Sequence, residues 1–178
     1  MSVPKTLNIM KRKLILFLVI SSLLTACTLD NSSMSEKDVL QIKSTLETLA
    51  LDNLKNWEPP FHEDKFLLHF TQSNDFSFTV DGFHVNDYEK WRTIVYESMD
   101  YDRQNHKHYK HDIIDIQTVV LSLNSGIVTV NYIWDYITND DFHYNTPAIV
   151  TAVYRLEDNN WRIVNSHVSH GENRLLKE

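Results

Sequence analysis

Glycine and cysteine are scarce in this sequence, and their scarcity excludes several classes of function. Only three glycines and one cysteine occur in 178 residues. A loop that cradles phosphate needs closely spaced glycines, so a P-loop or a dinucleotide fingerprint is excluded. No G-x-S-x-G sequence occurs, which excludes the nucleophile elbow of many serine hydrolases. A single cysteine cannot form an intramolecular disulfide.

Long apolar runs are also missing, apart from one short run near the N-terminus. It spans residues 14–24, a length of 11 residues, and follows the basic sequence Lys11-Arg12-Lys13. Such a run is too short for a membrane-spanning helix but has the length of the apolar region of a secretory signal. Residues 1–27 are therefore predicted to be a signal peptide. Met10 fits this organisation better than Met1 as the start codon.

The sequence LTAC, residues 24–27, resembles the lipobox of bacterial lipoproteins. The resemblance implies that Cys27 carries lipid (palmitate and related acyl chains), that the protein is exported, and that the lipid anchors it to a membrane. Each buried methylene contributes about 0.8 kcal/mol to such an anchor. Thr28, where some lipoproteins have aspartate, implies the periplasmic face of the outer membrane in a Gram-negative host. The alternatives are an ordinary signal peptide, or a short buried helix with a chance cysteine.

Acidic residues dominate the chain after the predicted signal. All 24 acidic residues but only 13 of the 17 basic residues lie there, so the net charge is 13 − 24 = −11. This charge disfavours nucleic acid as a partner. Residues 28–35 are short and polar and are predicted to be a tether. The rest of the chain has the length of one domain.

A long amphipathic helix is predicted after the tether. Ser35 and Asp38 have the spacing of a capping box, and apolar residues then recur with a helical period. The proline pair at 59–60 ends the element, so the helix is predicted over 36–57 with one face against a core. A short second helix is predicted over 62–70.

The later part of the chain changes from a helical to a strand period. Asn86 and Glu89 form another capping-box pattern, which predicts a third helix. Helices followed by a meander of long strands indicate an α+β fold, with helices on one face of an antiparallel sheet. Asn124-Ser125-Gly126 is predicted to be a hairpin loop. The predicted strands span residues 75–82, 112–123, 127–138, 148–156 and 161–170.

The strand predicted over 127–138 has large apolar residues on both faces. A strand that is covered on both faces needs helices on one side and another layer on the other. A homodimer is therefore predicted.

The C-terminal sequence TAVYRLEDNNWRIVNSHVSH resembles the terminal hairpin of the nuclear transport factor 2-like superfamily. It is most similar to the SnoaL-like branch and to the association domain of calcium/calmodulin-dependent kinase. The earlier sequence NDFSFTVDGF resembles the short strand that follows the first helices of this superfamily. The pattern of an apolar strand, an acidic turn and W-x-I-V-x-x-H-x-S falls here on Trp161, Ile163, Val164, His167 and Ser169.

This resemblance implies a cystatin-like cone over residues 36–171, followed by a C-terminal tail at 172–178. In such a cone, a long N-terminal helix is wrapped by a strongly bent antiparallel sheet, with a pocket at the wide end. The superfamily contains isomerases, cyclases and dehydratases as well as non-enzymatic binding modules, so the fold alone leaves the function open. Ala152 and Val168 fall where the kinase domain has pocket arginines, which argues against a carboxylate-binding cage.

Several polar residues are candidates for a ligand-binding or catalytic site at the expected pocket. A carboxylate beside aromatic rings, as at Asp75 or Asp81, is suited to act as the general base of an isomerase. The alternative is turn chemistry, because NDF and DGF are ordinary turn sequences. His84 is a further candidate for this site, and a place in the turn is its alternative as well. His167 is the pocket histidine implied by the resemblance, and strand parity directs His170 to the opposite face.

Three strand aromatics, Tyr132, Trp134 and Tyr154, are candidates to line the pocket, although packing is the commonest use of such residues. His106 and His108 are two residues apart, as in some metal sites, but interleaved lysines favour a solvated segment. Neither a metal nor a cofactor is expected.

Together these features predict a lipid-anchored, extracytoplasmic domain that binds a small, partly apolar molecule or acts as a dimeric interaction module. No complete catalytic set is evident, so a non-enzymatic role is favoured. The alternative is a ketosteroid-isomerase-like or SnoaL-like enzyme, with Asp75 or Asp81 as base and His167 or Tyr132 as its polar partner.

Overall fold

The computed structural model describes residues 34–177. The predicted signal peptide, Cys27 and most of the predicted tether lie outside the described residues. No helix within residues 34–177 is both long and apolar enough to cross a membrane.

The first helix, α1, spans Glu36–Asn56 and confirms the predicted long helix. The capping box is present, because the Asp38 backbone N–H donates to Ser35 Oγ at 3.1 Å and Asp38 accepts from the Ser35 backbone. The helix buries Leu46 and Ala50 against the sheet. Leu46 needs the absence of a side chain at Gly126, where a Cβ atom would lie 2.4 Å from Leu46 Cδ1.

Two further helices follow, α2 at Glu63–Leu67 and α3 at Tyr88–Asn105. The predicted capping residue of α3 is wrong by one position. Asp87, not Asn86, is the N-cap, and its Oδ1 accepts from the Lys90 backbone N–H at 2.8 Å.

Seven strands form one sheet, with two short strands before α3 and five strands after it. The order of the sheet is β2-β1-β6-β5-β4-β3, and β7 pairs with β5. All pairs are antiparallel except β1 with β6, so the sheet is mixed rather than fully antiparallel. The strands are β1 Ser77–Val80, β2 Phe83–Val85, β3 His106–Ser122, β4 Ser125–Thr138, β5 His143–Glu157, β6 Asn160–His170 and β7 Arg174–Lys177.

Three boundaries in the sheet differ from the predicted ones. Strand β3 begins at His106, immediately after α3, rather than at 112. The hairpin between β3 and β4 turns at residues 123–124, and Gly126 lies inside β4. The segment 172–178, predicted as a tail, contains β7.

The core lies between the inner face of the sheet and the three helices. Part of it is an aromatic cluster around Trp91 of α3, whose ring stacks on Phe78 at 3.9 Å between centroids. The other rings of this cluster belong to Phe66, Phe70 and Phe76. Aromatic pairs of this kind stabilise the folded state by more than the burial of their surface alone would.

Candidate ligand-binding cavity

A cavity of about 520 Å³ lies between the inner face of the sheet and helices α1–α3. Its walls are mainly aromatic and aliphatic, as is typical of small-molecule sites. The exposed side chains of Glu97 and Tyr101 on α3 also line it. Its aromatic lining residues are Trp57, Phe66, Phe70, Phe78, Trp91, Tyr101, Tyr109, Tyr132 and Trp134.

Asp102 places a buried carboxylate in this cavity. It lies near the end of α3 on the same helix face as Trp91, Val95 and Met99, and is 7% exposed. The Trp57 indole N–H donates to Asp102 Oδ2 at 2.9 Å, and His106 Nδ1 lies 3.4 Å from Oδ1. Burial raises the pKa of Asp102, although the Trp57 hydrogen bond and the nearby His106 oppose the rise.

His111 on β3 also lines the cavity, and Glu58 contacts both its backbone N–H and its imidazole. Glu58 Oε1 accepts from the His111 backbone N–H at 2.7 Å and lies 3.6 Å from His111 Nδ1. Burial alone would raise the pKa of Glu58, but hydrogen bonds from His111 and Lys55 outweigh it and lower the pKa to about 2. His111 also borders a second pocket of about 430 Å³ beside α1.

His170 is a further polar residue of the cavity, and Asp81 anchors it. Asp81 Oδ1 accepts from the His170 backbone N–H at 2.8 Å, and Oδ2 lies 2.8 Å from His170 Nδ1. Burial would raise the pKa of Asp81, but these hydrogen bonds outweigh it and lower the pKa. The Asp81 backbone has a φ of 47°, in the left-handed region that turns between short strands use.

The similarity of this architecture to solved structures is clear, although no protein-family model matches the sequence and no curated protein matches it. A hexachlorocyclohexane dehydrochlorinase of LinA-type3 from Novosphingobium barchaimii superposes with a TM-score of 0.66 at 14% identity, covering 80% of this chain and 94% of that one. The chain has the nuclear transport factor 2-like fold.

Two further neighbours support this assignment of the fold. A nuclear transport factor 2-like protein of unknown function from Shewanella oneidensis gives a TM-score of 0.53 at 18% identity, over 70% of this chain and 95% of that one. A protein with a cystatin-like fold from Caulobacter vibrioides gives 0.55 at 18% identity, over 71% and 87%. Identities this low show the fold and leave the function open.

Strand β6 of this nuclear transport factor 2-like domain directs a different histidine into the cavity from the one predicted. Val153 of β5 pairs with Asn165, and Tyr154 pairs with Ile163, so Val164 is an extra residue in β6. This bulge reverses the alternation of faces beyond it. Ser166, Val168 and His170 consequently line the cavity.

His167 is therefore exposed on the outer face of the sheet, which corrects its predicted place in the pocket. The two histidines do lie on opposite faces, as strand parity predicts. His84 is also exposed, with Nδ1 3.0 Å from Thr79 Oγ1, and is not among the lining residues.

Asp75 does not reach the cavity either. Its side chain is 64% exposed, and Oδ2 accepts from Arg155 at 2.7 Å. Arg155 also contacts Glu157, so Asp75 ties the segment before β1 to the end of β5. The predicted role of Asp75 as a pocket base is thus corrected, and its contact is structural.

The three predicted aromatics separate into two groups. Tyr132 and Trp134 of β4 line the cavity. Tyr154 of β5 is almost fully buried in the core instead, and burial raises the pKa of its hydroxyl.

The two histidines considered for a metal site are separated by another irregularity. A register shift between His106 and His108 puts the buried His106 beside Asp102, while His108 is exposed and lies 3.7 Å from Asp135. Within the described part of the chain, no three His, Cys, Asp or Glu side chains are arranged to hold a metal ion.

Two polar groups of the site, Asp102 and His111, and Glu58, which contacts His111, were not predicted from the sequence. Asp102 had a detectable signal, since it continues the apolar stripe of Trp91, Val95 and Met99 at helical spacing. A charged residue in such a stripe is buried with a partner or faces a cavity. Glu58 and His111 have no such signal, because 53 residues separate them along the chain.

Proposed function

We propose that this domain binds a small, largely apolar molecule in the cavity beneath its sheet. The observation that carries the proposal is the combination of aromatic walls with a few convergent polar groups, Asp102, His111, Ser166 and His170. The volume of about 520 Å³ lies within the range of roughly 300–1,000 Å³ for small-molecule sites. Aromatic walls supply affinity through burial, and the polar groups set the orientation of the ligand.

A variant that fills the cavity tests this proposal. Ser166 is buried and faces the cavity, whereas His167, the next residue, is exposed on the opposite face. We expect Ser166→Phe to weaken binding of the neutral probe 1-naphthylmethanol by about tenfold or more, measured by calorimetry. His167→Phe adds the same ring outside the cavity and should leave the affinity unchanged. Equal effects of the two variants would contradict the proposal.

A second candidate function, acid–base catalysis, is favoured by the buried carboxylate of Asp102. A carboxyl group with a raised pKa beside aromatic rings is suited to remove or donate a proton. Asp102 thus takes the place that Asp75 and Asp81 have in the predicted isomerase-like alternative. The solved neighbour described as a dehydrochlorinase has the same fold, which is compatible with this alternative.

Solvent-deuterium exchange separates catalysis from binding alone. The aromatic ketone 2-tetralone has acidic protons beside its carbonyl, and NMR follows their exchange. An enzyme should accelerate the exchange, and Asp102→Asn should reduce that acceleration by about 100-fold. If the wild-type protein binds 2-tetralone without accelerating exchange, the domain is a binding module.

Homodimerisation through the outer face of the sheet is part of the proposed function. Val119 and Ile149 on that face are 56% and 39% exposed, and Ile127, Ile133 and Val153 lie on it as well. A sheet face that carries exposed apolar side chains opposite the helices is suited to pack against a second copy. Ile149→Glu should shift the protein from dimer to monomer in sedimentation. Leu40→Glu, at an exposed position on α1, is the matched control and should not do so.

Lipid anchoring through Cys27 is the remaining part of the proposal. It rests on the basic, apolar and LTAC segments of residues 11–27. We expect Cys27→Ser to move the full-length protein from the membrane fraction to the soluble fraction when it is expressed in a Gram-negative host. Ser33→Ala, which leaves the cysteine in place, serves as the control. Continued sedimentation of Cys27→Ser with membranes would contradict the anchor.

A further inference from the structure

We infer that the ligand carries a positive charge, so that the cavity recognises a small aromatic or alkyl amine. This inference rests on the proposed binding function and names the chemical class of the ligand. The feature that carries it is a buried carboxylate, Asp102, facing an aromatic cavity whose lining residues include no lysine or arginine in the described part of the chain.

The formal charges around the cavity are negative. Glu97 and Asp102 both line it, the first exposed and the second buried. An anionic ligand would therefore enter a space with two carboxylates and no permanent positive charge, whereas an ammonium group would find a counter-ion.

The histidines do not make the net charge of the cavity positive. The two that line the cavity each have a carboxylate of their own: Glu58 lies 3.6 Å from His111, and Asp81 lies 2.8 Å from His170. Protonation of any one of them is matched by a neighbouring negative charge. The cavity is thus neutral to negative in every protonation state of its histidines.

Asp102 lacks the permanent counter-ion that a buried carboxylate needs. Its hydrogen-bond donor, the Trp57 indole N–H, is a neutral group. An unpaired buried charge is costly, and an ammonium group in the cavity would offset that cost.

The aromatic walls add a second attraction for a cation. Trp134 and Tyr109 lie 5.3 Å apart between centroids, and both line the cavity with Trp57 and Tyr132. Ring faces attract cations, and several rings around one space form the cage that recognises alkylammonium groups. The net charge of −11 after the predicted signal also favours the approach of a cation.

Three probes with one ring system test the sign of the charge. They are 1-naphthylmethylamine, 1-naphthylmethanol and 1-naphthoate, which are cationic, neutral and anionic at about pH 8, where histidine is largely neutral. We expect calorimetry to show the amine binding about tenfold or more tighter than the alcohol, with naphthoate weakest.

Asp102→Asn keeps the shape of the side chain and should reduce the affinity for the amine to about that for the alcohol. Circular dichroism checks its folding. Glu97→Gln, at an exposed position, should lower the preference by a smaller factor, and Asp75→Asn, outside the cavity, should leave it unchanged.

The outcomes distinguish this inference from the binding function on which it rests. If the alcohol or naphthoate binds as tightly as the amine, the inference is overturned and the binding function stands. If the amine preference survives in Asp102→Asn, the inference is overturned as well. If none of the three probes binds in a way that Ser166→Phe blocks, both proposals fail.

Discussion

Trp91→Ala should lower the free energy of unfolding by about 3–5 kcal/mol, the largest effect expected of any single substitution considered. Trp91 is 3% exposed and stacks on Phe78 with an interplanar angle of 22°. Its ring also contacts Phe70 and Phe76 at centroid distances of 5.8 and 6.4 Å. Truncation would remove these contacts and leave a void next to the existing cavity. We expect the surrounding rings not to fill this void, so its cost to the free energy of unfolding would remain.

Chemical denaturation of the two proteins measures this difference. Trp91→Phe keeps an aromatic ring and removes an indole N–H that has no hydrogen-bond partner, so it should cost much less than the alanine variant. Tyr101→Ala is the control on the same helix, because Tyr101 is 63% exposed and should cost about 0.5 kcal/mol or less. If Trp91→Ala lowered the free energy of unfolding by no more than Tyr101→Ala does, the aromatic cluster would not be a main source of stability.

Glu58→Gln should destabilise the protein by about 3 kcal/mol at neutral pH and progressively less in acid. The pKa of Glu58 is lowered from 4.5 to about 2 in the folded protein, and a tenfold change in an equilibrium constant corresponds to about 1.4 kcal/mol. Because the folded-state pKa is the lower one, this stabilisation is fully present above pH 4.5. It is lost as the pH falls from 4.5 towards 2, where the carboxylate becomes protonated in both states.

The measurement is the free energy of unfolding of both proteins by denaturant between about pH 3 and pH 7. Glutamine keeps an oxygen that can accept from the His111 backbone, so the comparison isolates the charge. Glu172→Gln, at an exposed position after β6, should show no such pH dependence. A difference between wild type and Glu58→Gln that stays constant over this pH range would rule out the charge of Glu58 as its source.

The helices were the most predictable part of the fold. Ser35 and Asp38 carry a local hydrogen-bonding pattern, so the start of α1 can be read from four residues. The N-cap of α3 was predicted one position too early, because asparagine and aspartate are both good capping residues and Asn86 and Asp87 are adjacent. The long strands were recognised by their alternation, although β3 begins six residues earlier than predicted.

The candidate site was less predictable than the fold, and β6 shows why. The resemblance put His167 inside, but the bulge at Val164 exchanges the two faces, so that His170 lines the cavity. A bulge is set by the pairing of β6 with β5, and no local sequence pattern announces it. The register shift between His106 and His108 likewise belongs to the pairing of β3 with β4.

The α+β class, the succession of helices and strands, and the charge could all be read from the sequence, because they follow from period, capping and composition, which are local properties. Its C-terminal motif added the resemblance to a cone-shaped fold. Which polar groups meet depends instead on the packing of distant segments. Asp102 reaches Trp57 across 45 residues, and Glu58 reaches His111 across 53. Such contacts depend on strand register and helix packing, in which a shift of one residue turns a side chain from the cavity to solvent.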